Sequence, residues 1–119
     1  MTKIMIVDDE QDLREMLDLM FRKEGFETIM VEDEQDFLKK IDKYHPDIIT
    51  LDLMTLGIFS RECLDVLKVS KSKNILLITD RYSETEKQMI HEMINVVDYV
   101  TKPIDIDDLM KRINKMVGI

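Results

Sequence analysis

The sequence predicts an α/β fold in which a doubly wound, five-stranded parallel sheet is flanked by five helices. Short apolar or β-branched runs alternate five times with longer stretches in which apolar residues recur three and four positions apart. Strands that alternate with helices in a compact chain form a parallel sheet through right-handed crossovers, which place helices on both faces. The 119 residues suffice for one core. We therefore expect a single domain over residues 1–119.

The five predicted strands are apolar runs of about the length of buried strands, bounded by polar and turn residues. The first run, IMIV, continues directly into three acidic residues, Asp8, Asp9 and Glu10. Adjacent carboxylates repel one another, so a cluster at a strand end needs a reason. The predicted strands span residues 3–7, 27–31, 47–51, 74–79 and 97–101.

The five predicted helices follow the strands, and each has an apolar stripe at helical spacing. Gly25 stands where the first helix should end, Ser83 and Glu86 form a capping box, and Asp105 can cap the last helix. The stripes are Leu13, Met16, Leu17, Met20 and Phe21; Phe37, Leu38, Ile41 and Tyr44; Leu64, Val66 and Leu67; Met89, Ile90, Met93 and Ile94; and Leu109, Met110, Ile113, Met116 and Val117.

Composition and charge exclude several classes of protein. Asp and Glu outnumber Lys and Arg by 25 to 17, and the net charge of −8 opposes binding to nucleic acid. No apolar run approaches the roughly 18 residues that span a bilayer, and the N-terminus lacks the pattern of a signal peptide. We therefore expect a cytoplasmic chain without a membrane partner. The single cysteine, Cys63, shows no metal-ligand spacing with His45 or His91 and is expected in the core.

Residues that can carry chemistry stand at the ends of four predicted strands. Asp8 and Asp9 follow the first strand, Asp52 the third and Lys102 the fifth, and Thr79 ends the fourth. Ligands of an open parallel sheet bind outside the carboxyl ends of its strands, so these side chains are expected at one edge. Three converging carboxylates favour a hard divalent cation such as Mg²⁺. The ammonium and hydroxyl groups could then stabilise a phosphoryl group transferred to one carboxylate.

With these residues in this order, the chain resembles the receiver domain of two-component response regulators, the CheY-like superfamily. The order and spacing of all five strand-helix units agree with that family. The resemblance implies a flavodoxin-like fold and a phosphoprotein switch of phosphorelay signalling that is not an enzyme, although it assists its own phosphoryl transfer and dephosphorylation. It also implies that this chain has no output domain. The matching residues are Asp8, Asp9, Asp52, Thr79, Tyr99, Lys102 and Pro103.

The resemblance further implies a role for each matching residue. Asp52 would be the phosphoacceptor of a sensor histidine kinase or phosphotransfer protein. Lys102 and Thr79 would contact the phosphoryl group, Thr79 and Tyr99 would move together in the switch, and the bond before Pro103 would be cis. A downstream protein, or a second copy in a homodimer, would bind the face formed by the fourth helix, fifth strand and fifth helix. The ligands of Mg²⁺ (or Mn²⁺) would be Asp8, Asp9, Asp52 and the backbone carbonyl of Met54.

The chain departs from the family pattern close to the acceptor. Asp80 directly follows Thr79, where similar domains have a small residue. Its carboxylate is expected to slow phosphorylation, unless it only caps the following turn. Met54 and Arg81 occupy positions that tune the access of water to the acyl phosphate in the family. The loop after the acceptor should also differ in shape, because the usual proline, Asp or Asn, and glycine are replaced by Leu56, Phe59 and Ser60.

Each site residue also has an ordinary structural interpretation. Asp8 and Asp9 could cap the first helix, where acidic residues are favoured. Thr79 could be an ordinary strand residue, and Tyr99 could pack on the sheet with its hydroxyl exposed. Lys102 could be a solvated surface lysine.

Three other functions compete with a working receiver. A phosphatase of the haloacid-dehalogenase type requires a second acid two residues after the nucleophile, where this chain has Met54. A dinucleotide- or flavin-binding module requires glycines after the first strand, whereas the three glycines lie elsewhere. The third is a pseudo-receiver, a protein interaction module that does not depend on phosphorylation.

Overall fold

A computed structural model of the chain describes residues 1–57, 60–69, 74–80 and 84–118. The predicted cap at Ser83, the loop residue Phe59 and the site residue Arg81 lie outside the described residues. The alternation of strands and helices is confirmed, and every predicted strand is present within one residue of its predicted bounds. The elements are β1 (Lys3–Val7), α1 (Gln11–Lys23), β2 (Glu27–Val31), α2 (Glu34–Tyr44), β3 (Ile48–Asp52), α3 (Leu53–Gly57), α4 (Arg61–Val69), β4 (Asn74–Thr79), α5 (Glu84–Met93), β5 (Val96–Thr101) and α6 (Ile106–Met116).

The five strands form one parallel sheet in the order β2-β1-β3-β4-β5. This is the order of the doubly wound, flavodoxin-like fold, so the predicted fold class is confirmed. The direction of winding reverses between β1 and β3, which are paired in parallel from Ile4 and Ile48 to Val7 and Leu51. The carboxyl ends of these two strands therefore frame the crevice in which such sheets bind ligands.

The described residues contain six helices, whereas the sequence predicts five. The additional helix is α3, a single short turn that follows the third strand directly. It forms because the carboxylate of Asp52 accepts hydrogen bonds from the backbone N–H groups of Met54 and Thr55. The face predicted from the fourth helix, fifth strand and fifth helix is therefore α5, β5 and α6. None of the helices in the described ranges combines the length and apolarity needed to cross a membrane.

Two apolar layers cover the sheet. Alternate residues of the central strands point to opposite faces, as Ile4 and Met5 do. One layer packs the sheet against α1 and α6, and the other packs it against α2, α4 and α5. Cys63 lies in the second layer, as predicted, and burial together with the neighbouring Glu34 raises the pKa of its thiol to about 12. That thiol is therefore a core group.

Two of the predicted helix-end residues, Asp105 and Gly25, are found at helix ends. Asp105 caps α6, because its side chain accepts a hydrogen bond from Asp108 N at 3.1 Å. Gly25 follows α1 at φ 92°, a backbone conformation that suits glycine. The N-cap of α1 is Glu10, whose own side chain makes no capping hydrogen bond. Neither Asp8 nor Asp9 is therefore the N-cap residue, although both precede the helix.

Candidate functional site

The site is built where β1 and β3 end side by side. Asp8 directly follows β1 and Asp52 is the last residue of β3. Both side chains are buried, with Asp8 1% and Asp52 2% exposed. Burial of carboxylates is costly unless they are paired or hydrogen-bonded, so the partners of each oxygen decide what the site can do.

Each carboxylate oxygen of Asp52 has a defined neighbour. Oδ1 accepts hydrogen bonds from Met54 N at 2.8 Å and from Thr55 N at 3.4 Å. Oδ2 lies 2.7 Å from the ammonium nitrogen of Lys102. Strand β3 thus supplies the carboxylate, the first turn of α3 supplies two donors, and the segment after β5 supplies the cation.

Lys102 is held in place by its backbone as well as by its side chain. Its N–H donates to the carbonyl oxygen of Thr79 at 2.7 Å, and its bond to Pro103 is cis, as predicted. Burial opposes the charge of the ammonium, but the hydrogen bond and charge of Asp52, aided by Asp8 and Asp80, raise the pKa of Lys102. With 23% of its side chain exposed, Lys102 is not the solvated surface lysine of the alternative interpretation.

Asp8 has one bonded oxygen and one that is unpaired. Oδ1 accepts a hydrogen bond from Glu10 N at 2.8 Å, whereas Oδ2 is buried without a hydrogen-bond partner among the described residues. Burial, reinforced by the charges of Asp52 and Asp9, raises the pKa of Asp8 to about 6, although the bond from Glu10 and the charge of Lys102 oppose the rise. A cation beside Oδ2 would give this oxygen a partner and would also offset the cost of burying the charge of Asp8.

Two residues that were not among the predicted site residues contact the acidic pair, Asp8 and Asp9. Thr55 is completely buried, and its Oγ1 accepts from Asp9 N at 3.3 Å and donates to Asp9 Oδ1 at 3.2 Å. Arg14 donates from Nη1 to the carbonyl oxygen of Asp8 at 2.7 Å. A hydroxyl residue three positions after a strand-end aspartate was the available signal for Thr55. Nothing in the pattern of α1 marks Arg14.

The donor set suits a hard divalent cation, although its side chains are engaged elsewhere. Within the described ranges, no three His, Cys, Asp or Glu side chains are arranged to hold a metal ion. Asp52 contacts Lys102, and Asp9 contacts Thr55. The unpaired oxygen of Asp8 and the carboxylate and carbonyl chemistry of the set nevertheless fit Mg²⁺. Met54, whose carbonyl is the fourth expected ligand, lies in α3 with its side chain exposed.

The remaining predicted residues lie along β4 and β5. Thr79 ends β4 and is 3% exposed, and Asp80 follows it with an exposed side chain. Tyr99, on β5, is half-buried against the layer that includes α5, and its ring centroid lies 6.3 Å from that of His91 on α5. Tyr99 therefore lies on the predicted output face and also packs against the core layer.

Comparison with known proteins agrees with this arrangement. The response regulator receiver domain family matches residues 4–114. The chain is 36% identical over 117 residues to the sensory transduction protein RegX3 of Mycobacterium bovis, which aligns 98% of this chain with 51% of that protein. The chain thus spans about half the length of the curated relatives it matches.

Solved structures extend the likeness to the fold. Response regulator protein TrrA from Thermotoga maritima, solved in complex with Mg²⁺-BeF, is similar with a TM-score of 0.77 and 29% identity, covering 98% of this chain and 99% of that one. Chemotaxis protein CheY4 from Vibrio cholerae has a TM-score of 0.82 and 24% identity, covering 98% of each chain, and shows the fold alone.

Proposed function

The chain belongs to the response regulator receiver domain family, and from that premise we propose that it is a phosphorylation-activated switch with Asp52 as phosphoacceptor. Receiver domains are signalling domains of two-component systems. The phosphoryl donor would be a sensor histidine kinase or a phosphotransfer protein. The observation that carries the proposal is the ion pair between the buried Asp52 and Lys102, with Oδ2 and Nζ 2.7 Å apart at the carboxyl edge of the sheet.

The reaction follows from the contacts of this pair. An oxygen of Asp52 attacks the phosphorus of a phosphohistidine, the P–N bond breaks, and its electron pair stays on the imidazole nitrogen. The product is an acyl phosphate on Asp52. Lys102, already beside the carboxylate, then pairs with the phosphoryl oxygens, and the hydroxyl of Thr79 can donate to one of them.

A divalent cation would be held by the carboxylates of the site. The expected ligands are Asp8, Asp9, Asp52 and the backbone carbonyl of Met54. When bound, Mg²⁺ or Mn²⁺ supplies positive charge that offsets the carboxylates and the phosphoryl oxygens. The unpaired Oδ2 of Asp8 supports this assignment, as does the Mg²⁺-BeF complex of TrrA.

The signal would leave through the face of α5, β5 and α6. Tyr99 supports this proposal because its side chain packs against the core layer and its ring centroid lies 6.3 Å from that of His91 on α5. Phosphorylation would bias two pre-existing arrangements of Thr79 and Tyr99, and a partner protein or second copy of the chain would bind one of them.

A phosphorylation-independent interaction module is the second candidate. It is favoured by the absence, within the described residues, of three side chains arranged to hold a metal ion, and by Asp80 beside the site.

Intact-protein mass spectrometry separates the two functions. The chain is incubated with acetyl phosphate, with and without Mg²⁺, beside Asp52→Ala and the matched control Asp42→Ala, which replaces an exposed aspartate of α2. A working receiver gains one phosphoryl group in the presence of Mg²⁺, Asp42→Ala behaves in the same way, and Asp52→Ala gains none. A folded wild-type chain that gains no phosphoryl group with any small donor would support the interaction module instead.

A further inference from the structure

Thr55 connects two of the three carboxylates of the site, those of Asp9 and Asp52. Its Oγ1 accepts from Asp9 N at 3.3 Å and donates to Asp9 Oδ1 at 3.2 Å, while its N–H reaches Asp52 Oδ1 at 3.4 Å. The two contacts of the hydroxyl hold both the backbone and the carboxylate of Asp9. Thr55 is therefore the one described side chain that is hydrogen-bonded to the carboxylate of Asp9.

The burial of the two partners is unequal. Thr55 is completely buried, whereas Asp9 is exposed. If Asp9 turns toward a cation, the hydroxyl of the completely buried Thr55 loses the acceptor of its proton, which is unfavourable. Asp9 itself loses little, because water replaces the hydrogen bond at an exposed carboxylate.

The carboxylate of Asp9 is held by Thr55 and is not arranged with the other described acidic side chains to bind a metal ion. No three acidic side chains of the described residues stand ready to hold a metal ion, although Asp8 Oδ2 is buried and unpaired nearby. Asp52 forms an ion pair with Lys102, and the positive charge of Lys102 repels a cation that binds nearby. Among the expected ligands, Asp9 is therefore the one whose side chain can most easily change its orientation.

We propose that the hydroxyl of Thr55 is a latch that competes with the divalent cation for the carboxylate of Asp9 and so lowers the affinity of the site for Mg²⁺. This inference rests on the proposed function in one respect, since it takes Asp9 as a ligand. Thr55 is a positioning residue, because it acts through Asp9. Loss of a merely structural hydroxyl would weaken cation binding or leave it unchanged, whereas loss of a latch strengthens it.

The test is isothermal titration calorimetry of the full, metal-stripped chain with MgCl₂. Thr55→Val removes the hydroxyl while nearly keeping the side-chain volume, and Thr55→Ser keeps the hydroxyl. Thr50→Val is the matched control, because Thr50 is also buried, on β3, and its Oγ1 has no hydrogen-bond partner among the described residues. We expect the Kd for Mg²⁺ to fall about tenfold in Thr55→Val, the order of one hydrogen bond to a charged group, and to be unchanged in Thr55→Ser and Thr50→Val.

An Asp9→Ala background shows whether the effect passes through Asp9, because alanine has no side-chain acceptor for the hydroxyl of Thr55. Adding Thr55→Val to Asp9→Ala should leave the Kd of the single variant unchanged. If Thr55→Val does not fold, Thr55→Ala removes the same proton and should act in the same direction.

An equal or higher Kd for Thr55→Val would overturn the latch. If the wild type is phosphorylated with Mg²⁺ in that case, the proposed function stands and only the latch fails. If no variant binds Mg²⁺ and the wild type is not phosphorylated, both fail.

Discussion

Lys102 Nζ and Asp52 Oδ2 lie 2.7 Å apart, in a pair whose carboxylate is 2% exposed. The backbone of Lys102 is tied to the end of β4 through Thr79, so the ammonium is placed by two strands at once. A cation held beside a buried carboxylate stabilises it before reaction and can pair with a phosphoryl group after it.

We expect Lys102→Met to lower both the rate of phosphorylation and the stability of the fold. The variant leaves the buried carboxylate of Asp52 without its cation, which should reduce the free energy of unfolding by about 2 kcal/mol. The rate of phosphorylation by acetyl phosphate should fall at least about tenfold, because the counter-charge of the phosphoryl oxygens is lost. Phosphate-affinity gels and urea unfolding measure the two effects. Lys111→Met, an exposed lysine of α6, is the control, and an equal loss in both variants would contradict the role of Lys102.

The pH dependence of stability should differ between the wild type and Asp8→Asn in EDTA. The folded pKa of Asp8 is about 6 against 3.8 for the free side chain, so the folded state binds more protons than the unfolded state between these values. The contribution of Asp8 thus lowers the free energy of unfolding progressively as the pH rises from about 4 to about 6. Above about pH 6 this contribution no longer changes with pH. Asn keeps an acceptor for Glu10 N without the charge. A rise of about two pKa units corresponds to about 3 kcal/mol, so Asp8→Asn should exceed the wild type by up to that amount at pH 7 and by little at pH 4.

Urea unfolding at several pH values checks this expectation. The difference between the two proteins is the relevant quantity, because all other carboxylates titrate in both. Added Mg²⁺ should narrow the difference at pH 7 by stabilising the wild type. A difference that does not change with pH would contradict the assignment.

Asp80→Ala should be phosphorylated a few times faster than the wild type. The carboxylate of Asp80 follows Thr79 directly, and its charge acts on Lys102, so it adds negative charge where the phosphoryl group must approach. The initial rate with acetyl phosphate at low and high salt is the measurement, and the gain should shrink at high salt. Asp80→Asn, which keeps the shape, should behave like the alanine variant. A rate equal to or below that of the wild type would rule out the inhibitory role.

Tyr99 should change environment when the site is occupied by a phosphoryl analogue. The chain has three tyrosines, so 3-fluorotyrosine labelling gives three ¹⁹F resonances, and Tyr99→Phe identifies one of them. Mg²⁺ and beryllofluoride should shift the resonance of Tyr99, because its ring lies 6.3 Å from His91 of α5, while Tyr44 in α2 serves as an internal control. Asp52→Ala should abolish the shift. An unmoved Tyr99 at saturation would exclude it from the switch.

The buried Thr50 and the half-buried Thr28 should respond in opposite ways to substitution by valine. Thr50 Oγ1 is buried and has no hydrogen-bond partner in the part of the chain that the structure describes, so Thr50→Val should raise the free energy of unfolding by about 1 kcal/mol. Thr28 Oγ1 donates to Asp18 Oδ1 at 2.5 Å, so Thr28→Val should lower it by about 1 to 2 kcal/mol. Urea unfolding measures both, and destabilisation by Thr50→Val would show that its hydroxyl has a partner, such as a water molecule.

The spacing of apolar residues predicted the strands and most helices of the fold well, because apolar residues are the ones that become buried. Almost wholly apolar runs such as 4–7 can be satisfied only by strands covered on both faces, and these strands were correct within one residue. The exception was α3, which is specified by hydrogen bonds from Met54 N and Thr55 N to a side chain and has no apolar stripe. Such a turn has no periodic signal.

The sequence by itself determined the fold class, the strand ends and the set of chemical groups at one edge of the sheet, since parallel strands must end on the same side. The tertiary structure alone decided the partners of each group. It paired Lys102 with Asp52, tied Asp9 to Thr55 and, within the described ranges, left one oxygen of Asp8 without a hydrogen-bond partner. These contacts join residues up to 50 positions apart in the chain, as between Asp52 and Lys102. Their distances and burial arise only when the strands pair, because no local pattern encodes which oxygen a distant donor reaches.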